Sequence, residues 1–224
     1  MKKIIILFSL FIVPFISFSQ EKKLKVSETT IRRVSVGAEI YQDFWMNWPE
    51  GMNVRAINLG GGGFIMYNVP FGDSPVSFSI GAGLGVHNLY SNTTINDIHA
   101  DTITFTRIPD SIDYKKSKLS LTYLDFPMEL RLVTKDKFRF AVGIKLGYLL
   151  DAKTKYKGDD IYGQESTIKQ KEVEHVDKLR FGPTVRFGYN WFQIVGFFSV
   201  SQVFEKGLGP DLYPISVGIT FMPF

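Results

Sequence analysis

The chain has 224 residues, of which 45% are hydrophobic, 21% charged and 15% aromatic, a composition that excludes a disordered polypeptide. The absence of cysteine excludes a disulfide framework, cysteine-ligated zinc, a thiol nucleophile and the lipid-modified cysteine of a bacterial lipoprotein. A net charge of +4, from 26 Lys+Arg against 22 Asp+Glu with no basic cluster, argues against a nucleic-acid partner.

Met1, Lys2 and Lys3 precede an apolar run from Ile4 to Phe18, with small residues at Ser17 and Ser19. This is the pattern of a secretory signal peptide over residues 1–19; the run is too short for a bilayer-spanning helix and Pro14 interrupts it. Residues 20–30 are expected to form a short periplasmic segment. No later stretch has the unbroken apolar length of a membrane helix.

From Val34 the apolar residues fall on every second position through Val36, Ala38 and Ile40, the signature of a strand with two unlike faces. The same period runs through Val76 to Val86, Phe138 to Tyr148, Leu179 to Tyr189 and Tyr213 to Phe221. Three weaker strands complete the set. Val54 to Val69 carries a glycine run at Gly60 to Gly63, which marks a bend or a close backbone approach. Lys118 to Leu132 changes phase, since Leu119, Leu121 and Tyr123 give way to Leu124, Phe126, Met128, Leu130 and Leu132, and a bulge is expected near Tyr123. Phe192 to Val203 is apolar on both faces in part, so the pattern leaves its register open.

The connections alternate: Gln42 to Asn53, a short turn at Pro70 to Pro75, a long stretch at 89–117, a short turn at Val133 to Lys137, a long stretch at 151–178, a tight turn near Asn190, and Phe204 to Asp211. Eight strands with long connections at one end and short ones at the other predict an all-β, antiparallel up-and-down transmembrane barrel over residues 31–224, located in the outer membrane. A soluble barrel would place its apolar face inward. Here the opposite face is rich in Gly, Ser, Ala and Thr, with Arg33, Glu39, Asp125, Glu129, Arg131, Arg139, Lys145, Arg180 and Arg186 on it. Such a face fits the narrow interior of eight strands, where these ions are expected to pair into a plug.

Aromatic residues near the strand ends predict two interfacial belts. Tyr41, Phe44, Trp45, Tyr90, Tyr148 and Tyr213 are assigned to the long-loop side, and Tyr67, Phe71, Phe138, Tyr189, Trp191 and Phe221 to the other. The chain closes on an amphipathic strand and Phe224, with Pro223 breaking the alternation after Phe221. This end is similar to the terminal signal read by the barrel-assembly machinery, an expected partner during biogenesis beside outer-membrane lipid.

The segment Leu119 to Tyr148, with Tyr123-Leu124-Asp125-Phe126-Pro127, a charged turn and Gly143-Ile144-Lys145-Leu146-Gly147-Tyr148, resembles the PorT-type outer-membrane β-barrel proteins of the Bacteroidetes. The resemblance implies the barrel and its location. It implies a role in a type IX-like protein-secretion translocon only as an alternative.

Catalytic chemistry has little support in the sequence. His87 is followed by Asn88 and Leu89, without the closely spaced serine of small outer-membrane lipid A deacylases, and is expected to be a hydrogen-bonded lumen residue. Asp159 and Asp160 near Gly163, and Asp97, His99 and Asp101, lack the spacing of a calcium loop or a zinc set. His99 and His175 lie in the two long stretches. No catalytic, cofactor-binding or metal-binding residue is assigned, and no cofactor. The near balance of Lys153, Lys155, Lys157, Lys169 and Lys171 with Asp159, Asp160, Glu165, Glu172 and Glu174 predicts no steering patch. The expected function is that of a non-enzymatic scaffold or interaction protein that meets a protein partner through its extracellular loops. A small solute channel or a lipid-modifying enzyme is also compatible with a barrel of this size. Thr102 to Ile108 alternates and is expected to extend the sheet above the membrane.

Overall fold

The computed structural model describes residues 33–159 and 163–223. The signal-peptide segment 1–19, the segment 20–30, Asp160 and Phe224 lie outside the described residues.

Eleven strands are present among the described residues: β1 Val34–Met46, β2 Leu59–Pro70, β3 Val76–Ser91, β4 Thr93–Ile95, β5 Phe105–Arg107, β6 Tyr114–Val133, β7 Phe138–Asp159, β8 Glu165–Lys171, β9 Leu179–Tyr189, β10 Phe192–Phe198 and β11 Tyr213–Phe221. Eight of them form one closed antiparallel ring. Each of β1, β2, β3, β6, β7, β9, β10 and β11 pairs with the next, and β11 returns to β1. Closure leaves no open sheet edge within the ring, as a structure crossing lipid requires.

The alternation read from the sequence sorts side chains as expected. Val36, Ile40, Ile65, Leu84, Phe126, Leu130, Ile144, Phe181, Phe187, Ile194 and Ile219 are exposed on the outer wall, while Ser35, Glu39, Ser79, Asp125, Glu129, Lys145, Arg186 and Thr220 are buried inside. An exposed apolar wall around a buried polar lumen is the inverse of a water-soluble barrel and is the arrangement that hydrocarbon stabilises.

Two of the aromatic assignments are corrected. Tyr41 and Trp45 point inward and are 4% and 3% exposed, because they share the parity of Glu39 and Asp43 on β1. Phe44 and Tyr148 remain on the outer wall at the long-loop end, with Tyr67, Phe138, Tyr189 and Trp191 at the other.

The phase change in β6 has a different cause from the bulge expected there. Odd residues face inward along all of Ser117 to Arg131; the interior itself changes, from apolar at Leu119, Leu121 and Tyr123 to ionic at Asp125, Glu129 and Arg131. The register does shift at Thr122/Tyr123, where the bulge is expected, but the extra residue is on β7. Thr122 pairs with Asp151 and Tyr123 with Leu149, so Leu150 is the extra residue and the inward parity shifts from Leu149 to Ala152.

Strand lengths differ from the sequence boundaries mostly at the long-loop end. β2 begins at Leu59 and β10 ends at Phe198, giving Gln193, Val195 and Phe197 as its inward residues. β6 and β7 span 20 and 22 residues, about twice the 9–11 that cross a bilayer, and β8 pairs with the upper part of β7. The segments 89–117 and 151–178 are therefore partly sheet. The alternating segment Thr102 to Ile108 contributes only β5, which pairs with β4 in a separate two-stranded sheet.

Candidate functional site

The lumen is filled by an ionic layer. Arg186 is its centre: Nε donates to Glu129 Oε1 at 2.8 Å, and Nη1 donates to Glu39 and, at 2.7 Å, to Thr220 Oγ1. Glu129 also accepts from Arg131 Nε at 3.0 Å, and Arg131 Nη1 reaches Asn68 Oδ1 at 3.0 Å. Lys145 stands 3.9 Å from Glu39. Nearer the long-loop end, Arg180 Nη2 donates to both oxygens of Asp125 at 2.8 and 2.9 Å. The void enclosed by Glu39, Tyr41, Asp125, Lys145 and Arg186 is about 10 Å³, room for about one water. Of the expected inward set, Arg33 is exposed beside Tyr67, and Arg139 is half-buried, 3.4 Å from the Met222 carbonyl; both lie toward the short-turn end, outside this layer.

Inward glycines create the space these ions occupy. A Cβ on Gly147 would stand 2.7 Å from both Arg180 Nε and Asp125 Oδ1, and one on Gly85 would stand 2.7 Å from Asp125 Oδ2. Their role is steric, since only a residue without Cβ lets the ion pair lie against the wall.

His87 is held at both ring nitrogens. Nδ1 lies 3.0 Å from Asp43 Oδ1, Nε2 lies 3.2 Å from the Tyr41 hydroxyl, and Ser216 Oγ donates to Asp43 Oδ1 at 2.6 Å. A carboxylate, an imidazole and a hydroxyl are thus in line, as in an activated nucleophile. The hydroxyl is a tyrosine's, however, and it already donates toward the carbonyls of Gly61 and Val86, with His87 and Asp43 1% and 0% exposed. The strand pattern does not single out Asp43 and Tyr41 as partners of His87; their odd parity on β1 is the one signal that places them inside with it.

Above the ions, the connections fold over the barrel mouth and bury an apolar cap. Met52, Ile95, Ile98, Ile103, Val173, Val176, Val203, Phe204 and Leu212 come from four connections and pack on Trp45, Leu89, Leu119, Leu121 and Tyr123 of the strands. Backbone bonds tie these connections together: Asn92 N to Asn53 O at 3.1 Å, Glu174 N to Ile98 O at 3.0 Å, and Ile103 N to Leu208 O at 2.8 Å. Asp97 and His99, which lack metal-site spacing, and the loop residue His175 are engaged here. Asp97 accepts from the His99 amide at 2.9 Å, His99 Nδ1 lies 2.9 Å from Glu174, and His175 lies 3.7 Å from Glu205.

Beside the cap, a cleft of about 420 Å³ opens between the β4–β5 hairpin and the projecting β6–β7–β8 sheet. Ile95, Phe105, Ile108, Ile112, Leu119, Tyr156 and Ile168 supply apolar walls; Thr94, Thr106, Thr154 and Gln170 add polar groups. The volume and the mixture suit a small ligand or a few side chains of a partner. Among the described residues β8 ends the sheet order and pairs only with β7, so no described strand covers its second edge beside Ile168 and Gln170. The cleft is not legible in the sequence because its walls come from segments that read as loops; the alternation in Thr102 to Ile108 is its one signal.

Residues 18–210 match the family described as outer membrane protein beta-barrel domain, in agreement with this architecture. Two crystal structures of Ail, the attachment invasion locus protein of Yersinia pestis, are similar at 11% identity over 85% of this chain and 97% of that one, with TM-scores of 0.40 and 0.41. The former holds the heparin analogue sucrose octasulfate. A mutant porin of Rh. blastica is similar at 8% identity over 84% of this chain and 99% of that one, with a TM-score of 0.23. No curated protein matches the chain.

Proposed function

From the premise that the chain belongs to the outer membrane protein β-barrel domain family and resides in the outer membrane, we propose that it is a non-enzymatic interaction protein whose long-loop end, outside the cell, receives a protein partner. The cleft between the β4–β5 hairpin and the β6–β7–β8 sheet carries this reading. It is preformed, and it stands beyond the strand length a bilayer needs. An extended partner segment can add to the second edge of β8 while placing an apolar side chain against Ile168, which is half exposed. The closed lumen and the enclosed His87 favour binding over conduction or catalysis.

A photo-crosslinking residue at Ile168 is expected to capture a discrete partner in native membranes, and Ile168→Asp to abolish partner recovery while the barrel still assembles. Unchanged recovery with Ile168→Asp would remove the cleft from the interaction. Within the family, the PorT-type resemblance of Leu119 to Tyr148 supports a second reading, a secretion-translocon accessory. Loss of the protein would then leave secreted cargo in the periplasm.

A further inference from the structure

The projecting sheet segregates its charges by face. Cross-strand partners share a face of a sheet. Lys118 of β6 stands opposite Lys155 of β7, which stands opposite Lys169 of β8. One rung toward the tip, Lys116 faces Lys157; one rung toward the membrane, Ser120, Lys153 and Lys171 align. The inward side of the same rungs carries Ser117, Leu119, Thr154, Tyr156 and Ile168, which close on the cap and the cleft. Near-balanced charge along the sequence therefore becomes a lysine ladder in space, contrary to the absence of a patch expected from composition.

The ladder is only partly compensated. Asp151 holds Lys153 at 2.9 Å, and Glu165 holds Lys157 at 3.2 Å and Lys115 at 2.9 Å. Asp159 pairs with Glu165 across the tip of the sheet. Lys118 donates to Asn88 Oδ1 at 2.8 Å and lies over the Tyr90 ring, which Arg55 also approaches. Among the described residues, no carboxylate forms an ion pair with Lys116, Lys155, Lys169 or Lys171. Lys155 is held below the ordinary lysine range, first by Lys116, then by burial and by Lys169, Lys118 and Lys157. Like charges directly opposite one another destabilise a sheet. An anion laid along the ladder would relieve that repulsion.

We propose that this lysine ladder binds the phosphorylated saccharide headgroup of the outer-leaflet glycolipid. The source is chosen by continuity. The ladder is the upward continuation of the lipid-facing wall of the same two strands, which runs through Phe126 and Leu130 on β6 and through Ile144, Tyr148 and Leu150 on β7. Lys153 follows Leu150 by three residues, a rise on the order of 10 Å along a tilted strand, so the first rung stands just beyond the hydrocarbon edge. Rungs at this height and spacing meet phosphates carried on lipid-linked sugars before they meet anything in bulk solvent. Lys118 and Lys155 also border the cleft, whereas Lys116, Lys153, Lys169 and Lys171 do not line it and stay accessible when a partner is seated there.

The test uses the full protein folded in zwitterionic detergent at physiological salt, with purified lipopolysaccharide as the probe, bound material being measured by mass spectrometry after gel filtration. The wild type is expected to retain phosphorylated lipopolysaccharide over its dephosphorylated form. K155Q/K169Q is expected to lower retention by about tenfold or more, and K155R/K169R to retain it. Heat-modifiable migration on gels reports that each variant is folded. Equal retention of phosphorylated and dephosphorylated forms, or undiminished retention by K155Q/K169Q, overturns the proposal. Inorganic polyphosphate that competes as well per phosphate as the glycolipid overturns the lipid source.

Discussion

One guanidinium nitrogen of Arg180 donates to both carboxylate oxygens of Asp125, and the same guanidinium stands over the Tyr123 ring, its carbon 3.9 Å from the ring centre. The pair sits where the ionic lumen ends and the apolar cap begins, so the cation meets both a carboxylate and a π-system. Breaking it one-sidedly leaves a buried charge. Asp125→Leu and Arg180→Leu are each expected to cost about 3–5 kcal/mol, and the double variant less than either single one, measured by urea unfolding of the detergent-folded barrel. Additive costs would show that the pair is not the source of the stability.

Glycine positions on the two faces should differ sharply. G147A places a methyl against Arg180 and Asp125 and is expected to cost about 1–3 kcal/mol. G63A, on the outer wall with its nearest neighbour at 3.6 Å, is expected to be tolerated. The comparison of their unfolding midpoints checks the steric role of the inward glycines.

The ionic layer predicts a closed lumen. Purified protein in a planar bilayer is expected to add no conductance above background, since Glu39, Glu129 and Arg186 occupy the cross-section. Discrete openings at low applied voltage would show that the layer moves as a gate.

The cap should be separable from the barrel. Phe204 and Leu212 are 1% and 0% exposed within it, and F204A is expected to cost about 3–5 kcal/mol of cap stability. Limited proteolysis should then cut the connections around residues 95–105 and 199–212 while heat-modifiable migration persists.

The crowding of the ladder can be read by titration. The folded state disfavours protonated Lys155, so the unfolded chain binds more protons in the window between its lowered value and the ordinary lysine range, and stability rises with pH there. Below the window the penalty is fully present. K116Q, by removing the largest of its causes, is expected to move Lys155 back toward the ordinary range, observed by nitrogen NMR of its ammonium group. No movement would mean that the two side chains splay apart.

The wall of the barrel is legible residue by residue along the chain. A side-chain period of two follows from backbone geometry, so Val36, Ile40, Ile144 and Phe187 declare an apolar face, and Glu39, Asp125, Glu129 and Arg186 its opposite, before any strand is paired. An even count of strands with alternating connection lengths then leaves an up-and-down barrel as the simplest closure. Parity also contains the inward direction of Tyr41 and Trp45, although their chemistry points to the interface.

Which residues meet inside that wall is settled by pairing across the barrel. Arg186 joins Glu39 and Glu129, and His87 joins Asp43, at separations along the chain that no local pattern encodes. Closure and register set those meetings. The same holds for β6, where a change of phase reflects a lumen that turns from ions to apolar loop residues, something visible only once the cap is in place over Leu119 and Leu121. It holds most clearly for the lysines. Mixed with acids along the chain, they are sorted by pairing and by the extra residue Leu150 onto one face of a projecting sheet, because register fixes the face of every residue at once.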